Sequence, residues 1–466
     1  MKKPTAAAVT CAIANAAGFL GDNLDAPRRL VESARVDYLT LEYLAELTLS
    51  ILARLREKDP NAGYANDFLD VLASLVPALR SQPQLKIVTN AGGMNPLACA
   101  RAAAALLNDA GLGDLVIGVV TGDDLLDRLP ALEAGGWPFE NLDTRQPLGD
   151  LGREVVSANA YLGGRPIAEA LDRGARLVLT GRVADASLTV GPAVHAFGWK
   201  WDDWRRLAGA SVAGHLIECG AQVTGGFYPH WQGLDLARVG YPIAELAADG
   251  NCVITKPAGT GGAVNRETVA EQLVYEIGDP SHYLTPDVDV DFTTIDIEPL
   301  TADRVAVRGA TGRPPPATYK ASLAYRDGYF ASGQLLVYGD DCVAKARAAG
   351  EMLLARVREA GYELERSLVE CLGAGGGVPG VDRSPEGLRE VVLRVTAADP
   401  RRQAIERFSK EFAPLATSGP GGLAGYASGR PPVRPVLAYW PTSVPRDAVS
   451  PQVEVRTAAE WAAKEG

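Results

Sequence analysis

The sequence predicts an α/β protein: a Rossmann-like parallel-sheet domain, then an α+β domain with a mainly antiparallel sheet. Three observations predict it. Through the first half, short apolar runs alternate with longer stretches of helical period, the pattern of βαβ units. Loops at the ends of those runs are rich in Gly, Asn, Asp and Thr, as in GFLGDN, TNAGGMNP, TGDD and TGRVAD. Beyond about residue 240, alternation of β period takes over, as in RVAVRGA and TYKASLAYRDGYFASGQLLVYG.

In chain order, AAAVTCAIA (6–14) reads as a buried first strand running into GFLGDN. Lys2 and Lys3 before an Ala-rich stretch mimic a secretory signal. That stretch is only weakly apolar and leads straight into a glycine loop, so a strand explains it better. A helix begins near Ala26-Pro27, with proline in its first turn. Strands follow at 37–40, 86–90 (KIVTN), 115–120 (LVIGVV) and 175–181 (ARLVLTG), with helices at 66–80, 97–110 and 164–173. In the second half NCVITKP (251–257) is a strand entering a glycine loop, and 264–276 is a helix. DVDFTTIDIEPL (289–300) and RVAVRGA (304–310) are strands, and Asp327-Gly328 signals a hairpin turn. A helix at 341–360, strands at 364–377 and 390–399 and a helix at 401–412 complete it. The glycines at 375–377 and 419–422 read as mobile loops. Domains are expected over 1–240 and 241–450, with 451–466 as a charged C-terminal tail.

Composition narrows the function classes. The chain has 466 residues, 47% hydrophobic and 22% charged, the balance of a globular protein with a large core. The net charge of −11, with no basic block, argues against nucleic acid and anionic membranes. No segment approaches the roughly 18 apolar residues of a membrane span. The six cysteines include no CxxC pair, so reduced thiols in the cytoplasm are expected, without a zinc ribbon or disulfide framework.

Five motifs carry candidate chemistry. In GFLGDN, Asp22 is either part of a tight strand-to-helix turn or an acid/base group in an active-site loop. The GxGxxG and GxxxxGK[ST] patterns are absent, so dinucleotide binding of the usual kind is not expected. In TNAGGMNP, Asn95-Pro96 has a structural reading, N-cap then first helical residue. Asn90, Gly92 and Gly93 either line a ligand or shape a turn. In TGRVADAS, Arg182 offers five donors suited to carboxylate or phosphate. Asp185 either pairs with it or works on substrate, and Thr180 sits at the strand end. Charges at a buried strand end are costly without a purpose; Arg182→Ala is expected to abolish turnover with the fold intact. In GHLIECGAQVTGG, His215, Glu218 and Cys219 share one face if helical. They suit proton transfer, a thiol nucleophile or a helix end; no metal partner motif accompanies them. In TKPAGTGG, Lys256 precedes Gly259, Thr260 and Gly261, whose N–H groups can form an anion nest. Asp287 and Asp289 read as solvated turn residues. Trp199, Trp201 and Trp204 read as packing or an interface, and a homo-oligomer is expected.

Several stretches together resemble one family: GFLGDN (18–23), DYLTLEYLAELTLSIL (37–52), TNAGGMNP (89–96), TGRVADASL (180–188), GHLIECGAQVTGG (214–226), TKPAGTGG (255–262) and EQLVYEIGDPSHYLTPDV (271–288). They are similar to the acyclic terpene utilisation, AtuA-like family, over roughly residues 8–445. The resemblance implies a setting of branched terpenoid acids degraded as coenzyme A thioesters. Many members also carry a small C-terminal ferredoxin-like domain. The chain ends at 466 without room for it, so a separate partner chain, or independence from it, is implied.

The expected protein is therefore an enzyme acting on a branched or hydroxylated acyl-CoA, as a hydratase or carbon–carbon lyase, with coenzyme A as part of the substrate and no cofactor indicated with certainty. Asp185, Arg182, Glu218, His215 and Asp22 are its candidate catalytic residues. Asn90, Gly92, Gly93, Thr180, Cys219, Lys256, Gly259, Thr260 and Gly261 are its candidate substrate contacts, and 255–262 is expected to close over the site. A Cys219-dependent hydrolase or acyltransferase, and a non-catalytic subunit of an acyl-CoA-processing complex, are the alternatives.

Overall fold

Ten strands of the computed structural model form one large mixed sheet, and five of them are the parallel strands anticipated in the first half. The structure describes residues 10–378, 387–425 and 429–463. The strand expected over 6–14 is therefore described only from Thr10. Across the sheet the order is Asp296–Thr301, Arg304–Arg308, Cys252–Thr255, Ile243–Ala247, Thr10–Asn15, Tyr38–Leu41, Lys86–Thr89, Leu177–Thr180, Val116–Thr121 and Gln452–Thr457. The five from Thr10–Asn15 to Val116–Thr121 pair in parallel; all the others pair antiparallel. These parallel strands are almost wholly apolar and buried on both faces, as helix-covered parallel strands require. Helices including Asp67–Ser81 and Pro96–Asp109 supply Phe68, Leu72, Leu75, Ala103 and Leu107 to one continuous core against Leu39, Ile87 and Leu179.

The chain does not divide at 240. One unit comprises Met1–Leu151, Val156–Leu323 and Tyr439–Gly466; the other comprises Gly152–Val155 and Ala324–Ala438. The reason lies in strand pairing: Ile243–Ala247 registers antiparallel on Thr10–Asn15 and carries Cys252–Thr255 and the 296–308 hairpin into the same sheet. Nor is 451–466 a charged tail. Gln452–Thr457 pairs with Val116–Thr121, and Trp461 is buried in the core with its indole N–H donating to the Ile117 carbonyl. The alternation of QVEVRT puts its charges at an exposed edge, and this made a strand look like a tail.

The second unit has an antiparallel sheet in which residues 329–338 pair with Glu390–Asp399, which pairs in turn with Arg366–Leu372. Helix Cys342–Glu359 packs its apolar face, including Ala346, Leu353 and Val357, on this sheet. The Asp327-Gly328 turn is not formed: Thr318–Tyr338 is one unbroken strand, with Gly328 accommodated at φ +83°. A turn signal is local, and the ten-residue ladder that follows overrides it.

Candidate functional site

The carboxyl ends of the central strands bring Asn15, Glu42, Asn90, Asp123 and Arg182 together as buried polar groups. Ligands of parallel α/β sheets sit at this edge. Here lies a cavity of about 270 Å³ whose wall includes Glu46, Tyr161, Arg182, Asp185, His215, Glu218, Glu276, Tyr283 and Lys320. Four of the five candidate catalytic residues thus share one chamber.

Arg182 follows strand Leu177–Thr180 and is 2% exposed. Its Nη1 donates to the Leu44 carbonyl at 2.8 Å and its Nη2 to Asp185 Oδ1 at 2.8 Å. The guanidinium lies 4.1 Å from the Tyr161 ring centroid and 4.0 Å from Glu42 Oε1. Its Nε–H is buried with no partner. A buried cation survives only when paired and hydrogen-bonded, and here Asp185, Glu42 and Glu46 supply the opposing charge. Asp123 fixes the backbone of the same loop by accepting from Arg182 N–H and from Asn159 Nδ2, both at 2.8 Å. Burial pushes Asp123 up to about 6, although both donors oppose this.

His215 and Glu218 form a second pair, Nδ1 to Oε1 at 3.1 Å, at the end of helix Trp204–Ile217. Asn15 anchors that end by donating to the Ile217 and Glu218 carbonyls, each at 2.8 Å. Burial raises Glu218 and outweighs what the His215 bond and charge take away, with smaller upward pushes from the neighbouring Asp185 and Glu276 carboxylates. Burial lowers His215, yet the bond to Glu218, its charge and the Gln272 and Leu273 backbone together outweigh burial and leave it raised. Both directions favour retention of a proton on the pair at neutral pH. His215 Nε2 is buried without a partner.

At the opposite wall Glu46 accepts from the Tyr161 hydroxyl and from Lys320 Nζ at 3.2 Å. Burial would raise Glu46, but Tyr161, Lys320 and Arg182 together hold it down to about 2. Lys320 also stands 4.8 Å from the Tyr161 ring centroid.

The other predicted residues are placed differently. Asn90 is fully buried behind the chamber, donating to Glu42 and accepting from Tyr43 N–H at 2.8 Å. Gly93 N–H donates to the Asn90 carbonyl, closing a turn. Gly92 is required by close approach: a Cβ there would lie 2.5 Å from the Thr180 carbonyl oxygen. Thr180 bonds the Gly181 carbonyl at 2.8 Å. Asp22 stands outside the chamber wall, accepting from Gly18 N–H and the Tyr241 hydroxyl, so it organises the GFLGDN loop. Cys219 is half-buried and also outside the wall; burial and Glu218 push its thiol up to about 12, the reverse of nucleophile activation.

Residues 255–262 do not close over the chamber. Lys256 is buried, with Nζ bonded to the Thr260 carbonyl at 2.8 Å and paired with Asp303 at 3.0 Å. Gly261 N–H donates to the Arg238 carbonyl, and Gly259 and Thr260 line a different cavity. Asp287 and Asp289, expected in solvent, are buried. Asp287 accepts from Gly164 N–H and Ser187 Oγ, and Asp289 from His282 and Arg313. Trp199 packs on Phe197 with ring centroids 5.0 Å apart.

The sequence reading passed over Glu42, Glu46, Asp123, Tyr161 and Lys320. A signal existed for two of them. Glu42 comes one residue after an apolar strand and Asp123 two residues after one, close to the placement that singles out Arg182. Among the described residues, no group of three or more His, Cys, Asp or Glu side chains is placed to hold a metal ion, and no helix is long and apolar enough to cross a membrane.

Comparison with models of known protein families matches residues 11–455 to the one described as Acyclic terpene utilisation family protein AtuA. No curated protein and no solved structure matches the chain significantly.

Proposed function

The chain belongs to the acyclic terpene utilisation family AtuA, and on that premise we propose that it is a cytoplasmic enzyme catalysing acid–base addition, elimination or carbon–carbon cleavage on a branched or hydroxylated acyl-CoA. Coenzyme A enters as part of the substrate. The observation that carries this reading is a set of unpartnered polar atoms in the chamber wall: His215 Nε2, Arg182 Nε and Glu218 Oε2 are buried without partners, in side chains that line one cavity. Buried unsatisfied groups are costly, and a bound substrate offers them partners.

In the elimination direction, the Asp185 carboxylate, one-third exposed and held by Arg182, takes the proton from Cα. The electron pair moves onto the thioester carbonyl, whose oxyanion the spare donors of Arg182 and Lys320 stabilise. His215, protonated with the help of Glu218, gives its proton to the β-hydroxyl. The Cβ–O bond then breaks, water leaves and the double bond forms. Hydration is the reverse.

The test is turnover of branched β-hydroxyacyl-CoA substrates, followed by the absorbance of the conjugated thioester. Positioned proton transfer is worth about 10²–10⁴ in rate. His215→Asn and Asp185→Asn should each lose that much while keeping the native Tm within a few degrees. Undiminished rates in both variants, or no turnover across the panel, would overturn the proposal.

A further inference from the structure

A second cavity, about 490 Å³ and larger than the chamber, opens beside helix Ala26–Ser33. Its volume falls within the range of small-molecule sites, roughly 300–1,000 Å³. Leu30, Tyr241 and Pro257 give it apolar walls, and the guanidiniums of Arg29 and Arg238 line it too. Arg29 pairs with Asp25 at 3.4 Å and Arg238 with Asp235 at 2.7 Å, all four groups more than a third exposed. Exposed pairs of this kind are weak and screened, so a multiply charged anion can displace the carboxylates.

Gly259 and Thr260 also line this cavity. Gly259 adopts φ +76°, and a Cβ there would meet nothing within 4 Å, so the chain faces open space. The loop around it is pinned: Lys256 Nζ holds the Thr260 carbonyl and Thr260 Oγ1 donates to the Pro257 carbonyl at 2.6 Å. The Lys256 charge is answered by Asp303, so the two arginines are the cations this cavity offers. Guanidinium forks match phosphate geometry, and apolar side chains suit the face of a nucleobase.

We infer that this cavity binds an adenosine phosphate, the base against Leu30, Tyr241 and Pro257 and the phosphates on Arg29 and Arg238. The inference does not depend on the reaction in the chamber. The same chemistry is presented by a free adenine nucleotide and by the nucleotide end of coenzyme A.

Calorimetric titration of the full chain with ADP, adenosine 3′,5′-bisphosphate and coenzyme A tests it without any turnover. Saturable binding is expected, and an Arg29→Ala/Arg238→Ala double variant should weaken it by roughly tenfold or more. Both positions are exposed, and an unchanged Tm will confirm that the variant folds. Coenzyme A binding more tightly than ADP supports the site as a holder of the thioester's nucleotide end. ADP binding as tightly or more so supports it as a free-nucleotide site. No saturable binding by any of the three, or equal affinity in the double variant, overturns the inference.

Discussion

Arg182→Ala should destabilise the fold as well as slow turnover. The guanidinium is 2% exposed, so its removal leaves Glu42 and Asp185 facing each other without a cation and strips the stack on Tyr161. Removing one member of a buried ion pair costs about 3–5 kcal/mol. A unit of about 350 residues loses roughly 0.7 kcal/mol of stability per degree near its midpoint. The expected fall in Tm is therefore about 4–7 °C, measured by calorimetry or circular dichroism at pH 7. This replaces the expectation from sequence that the fold would be indifferent to the change. Direction with pH adds a check. Burial and Asp185 already raise Glu42, while Arg182 opposes them. Without Arg182 the carboxyl titrates higher still, so the deficit should shrink as pH falls. Adding Glu42→Gln to the variant should likewise restore part of the Tm. A Tm within 1 °C of native for Arg182→Ala would refute the reasoning.

Burial pushes Asp123 up to about 6 in the folded state, against an ordinary value near 4. Its contribution is fully present below about pH 4 and is lost as pH rises through 6, on the order of 3 kcal/mol. Asp123→Asn should therefore flatten the stability–pH curve over that window; a curve parallel to native would count against the burial argument. Cys219, its thiol pushed up to about 12, should react slowly with a thiol reagent at pH 7, and Cys219→Ala should keep the native rate. Fast labelling that substrate blocks would restore the thiol-dependent reading. Trp461→Ala should cost about 3–5 kcal/mol, read by denaturant titration, because Trp461 closes the core beside Val116–Thr121. A cost below about 1 kcal/mol would mean that the C-terminal segment is peripheral.

The parallel centre of the sheet was legible because its strands are short apolar runs bounded by turn residues, a signal local to each element. The chamber's core was legible for the same reason. Arg182 and Asp185 lie three residues apart at a strand end, and His215 and Glu218 three apart at a helix end. What escaped needed long-range information. Glu46, Tyr161 and Lys320 meet across separations of 115 and 274 residues, which no local spacing encodes. The boundary near 240 failed because Ile243–Ala247 returns to the first strand, and antiparallel pairing to a parallel sheet leaves no local mark. The TKPAGTGG loop has the composition of an anion nest. Its lysine, however, faces inward to Asp303, a partner 47 residues on that no motif discloses.

The proposed reaction has the chamber move a proton at the carbon next to a thioester carbonyl. Incubating the native chain with a branched acyl-CoA in D₂O and following the mass of recovered substrate tests this most directly. Deuterium should enter at Cα, at a rate that falls by about 10²–10⁴ in Asp185→Asn, in a protein whose Tm is retained. Recovery of unlabelled substrate from the native chain, or labelling that survives undiminished in Asp185→Asn, would contradict it.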